Sequence, residues 1–171
     1  MMTTIERATT EDGPHMLRLL TNSALPVDGL LEHIDTATVA RLDGQLVGCA
    51  ALELYREGAL LRSVAVDPAL RGNGIGIRLI QSVLAEAQRL GVRDVYLLTT
   101  TAEQFFVRFG FTTVDRIEVP LSLRESVEFR SACPASATVM RCRSFTAAIR
   151  LRAIDKSVPV TGARGAPPAR D

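Results

Sequence analysis

Apolar and polar positions alternate weakly over residues 3–8, which predicts a first strand. The polar group Thr9, Thr10, Glu11 and Asp12 then offers an N-cap for a helix carrying Met16, Leu17 and Leu20, expected to end near the LPVDG stretch at 25–29. Residues 38–42 and 45–55 read as two strands. Between them stands Asp43-Gly44, which supplies the positive φ angles a two-residue hairpin needs. A second turn at Glu57-Gly58 leads into an extended apolar run over 59–66.

From 74 to 90 the period changes. Ile75, Leu79, Ile80, Val83, Leu84, Ala87 and Leu90 form a stripe with a 3.6-residue repeat, closed by Gly91. Residues 94–99 have the composition of a buried strand, and Thr101-x-x-Gln104 predicts a capping box for a short helix ending at Gly110. Residues 111–119 are expected to form a strand stopped by Pro120. Ser122-x-x-Glu125 predicts a second capping box, and 137–142 a closing strand. Antiparallel hairpins combined with one β-α-β crossover point to an α/β (α+β) domain. Its centre would be a mixed, mostly antiparallel sheet with helices on both faces.

That domain is expected over residues 1–142. Past Arg143 the pattern fails, and residues 143–171 read as a basic tail rich in Pro, Gly and Ala. Its last stretch, 157–171, has too few large apolar groups to repay the entropy of ordering and is predicted to be disordered. With 171 residues, 47% of them hydrophobic, the chain suits one core. A formal net charge of +1 makes no general electrostatic case for nucleic acid. No basic-then-apolar leader opens the sequence, and no run approaches the roughly 18 apolar residues of a spanning helix. A soluble cytoplasmic protein with neither nucleic-acid nor membrane partners is expected. Cys49, Cys133 and Cys142 are too few and too irregularly spaced for a disulfide scaffold or a zinc site, and each is expected to serve as a small buried hydrophobe. His15 and His33 show no metal spacing, so no metal is expected.

The most informative stretch is RGNGIG, residues 71–76, between a strand and the strongest helix. A nucleotide P-loop needs Lys and Ser/Thr after its last glycine, but Ile77 and Arg78 follow Gly76. A dinucleotide fingerprint is spaced G-x-G-x-x-G and opens a parallel unit, whereas this loop is G-x-G-x-G after an antiparallel meander. What remains is a loop whose backbone N–H groups converge at a helix start, where the helix dipole adds to them. That arrangement suits a pyrophosphate.

In this context V-A-V-D-P-x-x-R-G-N-G-I-G, residues 64–76, resembles the acetyl-CoA loop of the GNAT N-acetyltransferases, and Phe106 to Phe111 is similar to their F-x-x-x-G-F signature. The resemblance covers about residues 3–142. It implies that Arg71, Gly72, Asn73, Gly74, Ile75, Gly76 and Ile77 hold the CoA pyrophosphate. It also implies that the backbone of Val64, Ala65 and Val66 pairs with the pantetheine arm as an added strand. Acetyl-CoA is then the co-substrate. Many members of the family place a proton-donating Tyr where this chain has Phe106, which cannot donate; another group or water must protonate the thiolate, or it leaves unassisted.

LLTTTAEQFFVRFGF, residues 97–111, is further similar to the acetyltransferase domains of N-acetylglutamate synthases. That likeness implies that Arg130 and Ser131 grip substrate carboxylates, a role for which the planar guanidinium fork is suited. The combination with CPASA at 133–137 also resembles short acetyltransferases associated with arsenic resistance, which makes a glutamate-like or arsenic-containing amino acid the expected acceptor. Glu53, in a mostly apolar strand, is the candidate base, since burial favours the protonated form of a carboxyl. Arg62 on the next strand would pair with Glu53 or line the acceptor pocket. Acetylation of a peptide or protein amine, and a non-catalytic acyl-CoA sensor, are the competing readings. Exposed sheet edges make a homodimer reasonable.

Overall fold

The computed structural model describes residues 2–143 together with Phe145 and Ala148. Seven strands form one sheet: β1 (Thr3–Arg7), β2 (Ala37–Leu42), β3 (Gln45–Tyr55), β4 (Gly58–Val66), β5 (Val95–Thr99), β6 (Thr112–Thr113) and β7 (Thr138–Cys142). Their spatial order is β1-β2-β3-β4-β5-β7-β6, and only the β4/β5 pair is parallel. The helices are α1 (Gly13–Asn22), α2 (Ile75–Arg89), α3 (Glu103–Val107) and α4 (Leu121–Arg124).

Local chemistry accounts for the β2/β3 hairpin. Asp43 and Gly44 both have positive φ, 49° and 84°, and Leu42 pairs with Gln45 directly across the turn. Alternation along β3 then sorts side chains to two faces. Ala50 and Leu52 join the α2 core with Leu79, Ile80, Val83 and Leu84, while Cys49 and Ala51 join Met16 and Leu20 of α1. Full burial of each large α2 side chain contributes about 1.5–3 kcal/mol, so this stripe is a principal source of stability. Burial pushes the Cys49 thiol up to about 12, leaving it an inert core residue.

On the face opposite α2 the apolar packing is divided in two. One cluster lies under α1 and the 3-10 turn Leu30–Thr36, and a second holds Leu60, Tyr96, Leu98 and Val139 with Leu123 of α4 and Phe129. Between these clusters β3 and β4 place Glu53 and Arg62, both buried. A polar seam therefore crosses an otherwise apolar face.

Several local expectations are corrected. The first helix stops at Asn22 rather than near 25–29, with Ala24 at φ 55° just beyond. The Thr101/Gln104 box does not form: Ala102 precedes α3, and its N–H is bound instead by Thr99 Oγ1 at 3.0 Å, from the end of β5. The strand expected over 111–119 is reduced to Thr112–Thr113. Asp115 and Glu118 form a capping box around the 3-10 turn Arg116–Glu118, and Asp115 N–H donates to Glu118 Oε2 at 2.9 Å, which ends the ladder. Ser122 lies within α4 and donates its hydroxyl to Glu57 instead of capping.

Phe145 and Ala148 are buried in the α2-side core, so packed chain continues past residue 142. The disorder expected over 157–171 falls outside the described residues. No helix among the described residues is long and apolar enough to cross a membrane.

Candidate active site

β4 pairs with β3 along its length, from Gly58↔Tyr55 to Val66↔Gly48, but meets β5 only at Ala59↔Val95 and Leu60↔Tyr96. Past Leu60 the two parallel strands part, and among the described residues no strand pairs with the β5-facing edge of residues 61–66. The register also shifts: Ala51 faces Arg62 and Cys49 faces Ala65, so Ser63 and Val64 together stand opposite Ala50. This is a β-bulge, and Ser63 at φ 57° sits in the left-handed region that non-glycine residues avoid at a cost of order 1–3 kcal/mol. Two contacts hold it there. Arg62 Nε donates to Ser63 Oγ at 3.0 Å, and the Cys49 thiol donates to the Ser63 carbonyl at 3.3 Å.

The glycine loop lies at the end of the open edge. Asp67 Oδ1 accepts the Ala69 N–H at 2.9 Å and starts the 3-10 turn Pro68–Leu70, and Asn73 Nδ2 donates to the Leu70 carbonyl at 2.9 Å. Gly72 and Gly74 have φ of 82° and 79°, which turns the chain into α2. The first-turn N–H groups of α2 have no intrahelical acceptor and point out of its positive end. Gly76 lies close to α3: a Cβ there would stand 3.3 Å from Phe105 Cζ, so the ring would have to give by a few tenths of an ångström. Arg71 folds back so that its Nε donates to the Val66 carbonyl at 3.0 Å, bracing loop against strand.

The polar seam converges on Arg62, which has no solvent exposure. Its Nη1 donates to Glu53 Oε1 at 2.7 Å, and its Nη2 lies 3.0 Å from Glu128 Oε1. Glu53 Oε2 accepts the Tyr55 hydroxyl at 2.6 Å, and His33 Nε2 stands 3.5 Å from Glu53 Oε1. Burial, reinforced by the hydrogen bond to Glu53, pushes the Tyr55 phenol upward. Glu128 begins the π-helical turn Glu128–Ala132, on which Arg130 and Ser131 are exposed. Phe106 is fully buried in edge-on contact with Phe105 and Phe111, at 5.2 and 5.7 Å between ring centroids, and belongs to the α2-side core.

The structure thus brings Glu53 and Arg62 into one ion pair, and places Val64, Ala65 and Val66 beside the loop. It adds Glu128, Tyr55 and His33, none of which sequence reasoning placed in the site. Glu53 and Arg62 were visible as charges inside apolar strands. Glu128 carried no such signal, since a glutamate near a helix start is ordinarily solvated.

A parallel pair that opens beside a bulged strand, ending in a glycine loop at a helix start, leaves a strand edge that leads to a group of backbone N–H donors. Residues 33–113 match the family described as Acetyltransferase (GNAT) domain. An amino-acid acetyltransferase of Mycobacterium tuberculosis is 36% identical over 121 residues, which cover 65% of this chain and 69% of that protein. The chain belongs to the GNAT acetyltransferase family. The amino-acid acetyltransferase of Aeromonas salmonicida is 34% identical over 90 residues, 52% of this chain, but these span only 20% of that protein. Among solved structures, Rv2747 from Mycobacterium tuberculosis, in complex with CoA and NLQ, superimposes with a TM-score of 0.70 at 28% identity, covering 82% of this chain and 99% of that one. N-acetylglutamate synthase from Neisseria gonorrhoeae, complexed with coenzyme A and L-arginine, gives 0.71 at 26% identity, covering 82% of this chain and 33% of that one.

Proposed function

We propose that this chain transfers the acetyl group of acetyl-CoA to the α-amine of a small, glutamate-like amino acid. The observation that carries this reading is the open β4 edge with the glycine loop at its end, which fits an extended pantetheine arm followed by a pyrophosphate. Residues 64–66 would hydrogen-bond the arm, and residues 72–77 would surround the phosphates. The names of the relatives support an amino-acid acceptor.

In the proposed reaction the neutral amine attacks the thioester carbonyl, the C–S bond of the tetrahedral intermediate breaks, and CoA leaves as a thiolate. Glu53 is the proposed proton acceptor, and His33, with its side chain 27% exposed, leads from Glu53 toward solvent. Both Glu53 oxygens are engaged, so taking up a proton weakens its pairing with Arg62. Phe106 has no proton to give, and water is the proposed donor to the thiolate. Arg130 and Ser131 would hold the acceptor's carboxylates. An arsenic-containing amino acid of similar shape is the finer alternative acceptor.

Free-thiol release by the purified protein, measured across a panel of amino acids with glutamate and an arsenic-containing analogue among them, tests the activity. CoA binding without thiol release for any acceptor would overturn it. Loss of a charge-assisted carboxylate grip, about 1.5–3 kcal/mol, should raise the acceptor KM of Arg130→Ala about 10- to 100-fold with the acetyl-CoA KM unchanged. An unchanged acceptor KM would remove Arg130 from the site.

A further inference from the structure

Arg130 and Ser131 lie on the solvent side of the turn Glu128–Ala132, while Glu128 and Phe129 are 1% and 9% exposed and point inward. Glu128 closes this turn twice. Its carbonyl accepts the Cys133 N–H at 3.1 Å, and its Oε2 accepts the Cys133 thiol at 2.8 Å. The other carboxylate oxygen, Oε1, meets Arg62 Nη2 at 3.0 Å. The remaining Arg62 contacts, Nε to Ser63 Oγ and Nη1 to Glu53 Oε1, reach the β4 bulge and β3.

One buried guanidinium therefore joins three segments: the bulged strand, its neighbour, and the turn that displays Arg130 and Ser131. Its Nε and Nη1 hydrogen bonds orient the guanidinium plane against β4 and β3, and its charge pairs with the Glu128 carboxylate on the third side. From this geometry we propose that Glu128 and Arg62 are positioning residues that hold the acceptor-binding turn at a set distance from the β4 bulge, beside which the reacting end of the donor lies. The proposal rests on Arg130 and Ser131 gripping the acceptor. A turn anchored only by the packing of Phe129 could shift along the sheet face, and misplacement by about 1 Å can cost about 100-fold in rate. The exposed groups of the turn make contact with substrate; Glu128 acts through them.

Glu128→Gln preserves shape and a hydrogen-bonding oxygen while removing the charge that meets Arg62. Weakening one charge-assisted contact predicts a rise of about tenfold in acceptor KM, with the acetyl-CoA KM at its wild-type value. In an Arg130→Ala background the same substitution should change acceptor KM by less than about twofold, because coupled residues are not additive. Equal increases in both backgrounds would show that Glu128 acts independently of the turn, and an unchanged acceptor KM in Glu128→Gln alone would equally overturn the proposal. If Arg130→Ala itself leaves acceptor KM unchanged, the carboxylate grip fails first and the positioning role with it. Should Glu128→Gln not fold, Cys133→Ala releases the far end of the turn and is measured in the same two backgrounds. A rise of about threefold is expected with Arg130 present, from loss of a weaker thiol contact, and none without it.

Discussion

Arg62→Ala should lower stability by about 3–5 kcal/mol, the usual consequence of removing one member of a buried ion pair. Arg62 is fully buried, Glu53 and Glu128 are 2% and 1% exposed, and the guanidinium is 2.7 and 3.0 Å from their respective carboxylates. Its removal leaves two carboxylates facing each other across a cavity between apolar clusters, where water offers little compensation. Ser63 would also lose the Nε contact that helps hold it at positive φ. A domain of this size is stable by about 5–15 kcal/mol, so the loss is a large fraction of the total. Urea denaturation followed by circular dichroism measures it. A loss below about 1 kcal/mol would mean that the seam is solvated and that Arg62 is not its organising charge.

Gly74→Val should weaken CoA binding about 100-fold or more, with the acceptor site intact. Two effects combine at this position. Gly74 has φ 79°, and a β-branched residue held there is strained by about 1–3 kcal/mol, so the loop would relax away from its present path. In the proposed placement, any side chain at the junction of loop and α2 would also stand where backbone N–H groups approach the phosphate. Losing two such charge-assisted bonds accounts for the factor of about 100. Isothermal titration with CoA tests it, with a thermal melt to show that the variant is folded. Wild-type affinity in a folded variant would contradict the placement of the pyrophosphate at residues 72–77.

The fold was legible where one local rule acted without a competitor. The β2/β3 hairpin follows from Asp43-Gly44, and α2 follows from its stripe and from Gly91, which adopts φ 77° just past the helix end. Where two rules competed, the sequence was ambiguous. Residues 111–119 carry the β-branched residues of a strand, yet Asp115 and Glu118 cap a 3-10 turn within them and leave Ile117 80% exposed. Thr101 and Gln104 match a capping box, but Thr99 was better placed to bind the Ala102 N–H. The short turn Leu30–Thr36 gave no periodic signal, being too brief and kinked at His33.

By itself the sequence determined the element order, the two-sided mixed sheet and the glycine loop, because hairpin turns, helix periodicity and positive-φ positions depend on neighbours a few residues apart. It also marked Glu53 and Arg62 as charges in apolar surroundings. Only the tertiary structure decided that these charges meet each other and Glu128, 66 residues beyond Arg62. It alone showed that β4 parts from β5 after two paired positions, and that the Phe105 ring packs close against Gly76. The physical reason is common to all three. An ion pair, a strand separation and a tight packing contact are set by segments distant in sequence, whose approach is fixed when three apolar clusters close around the sheet.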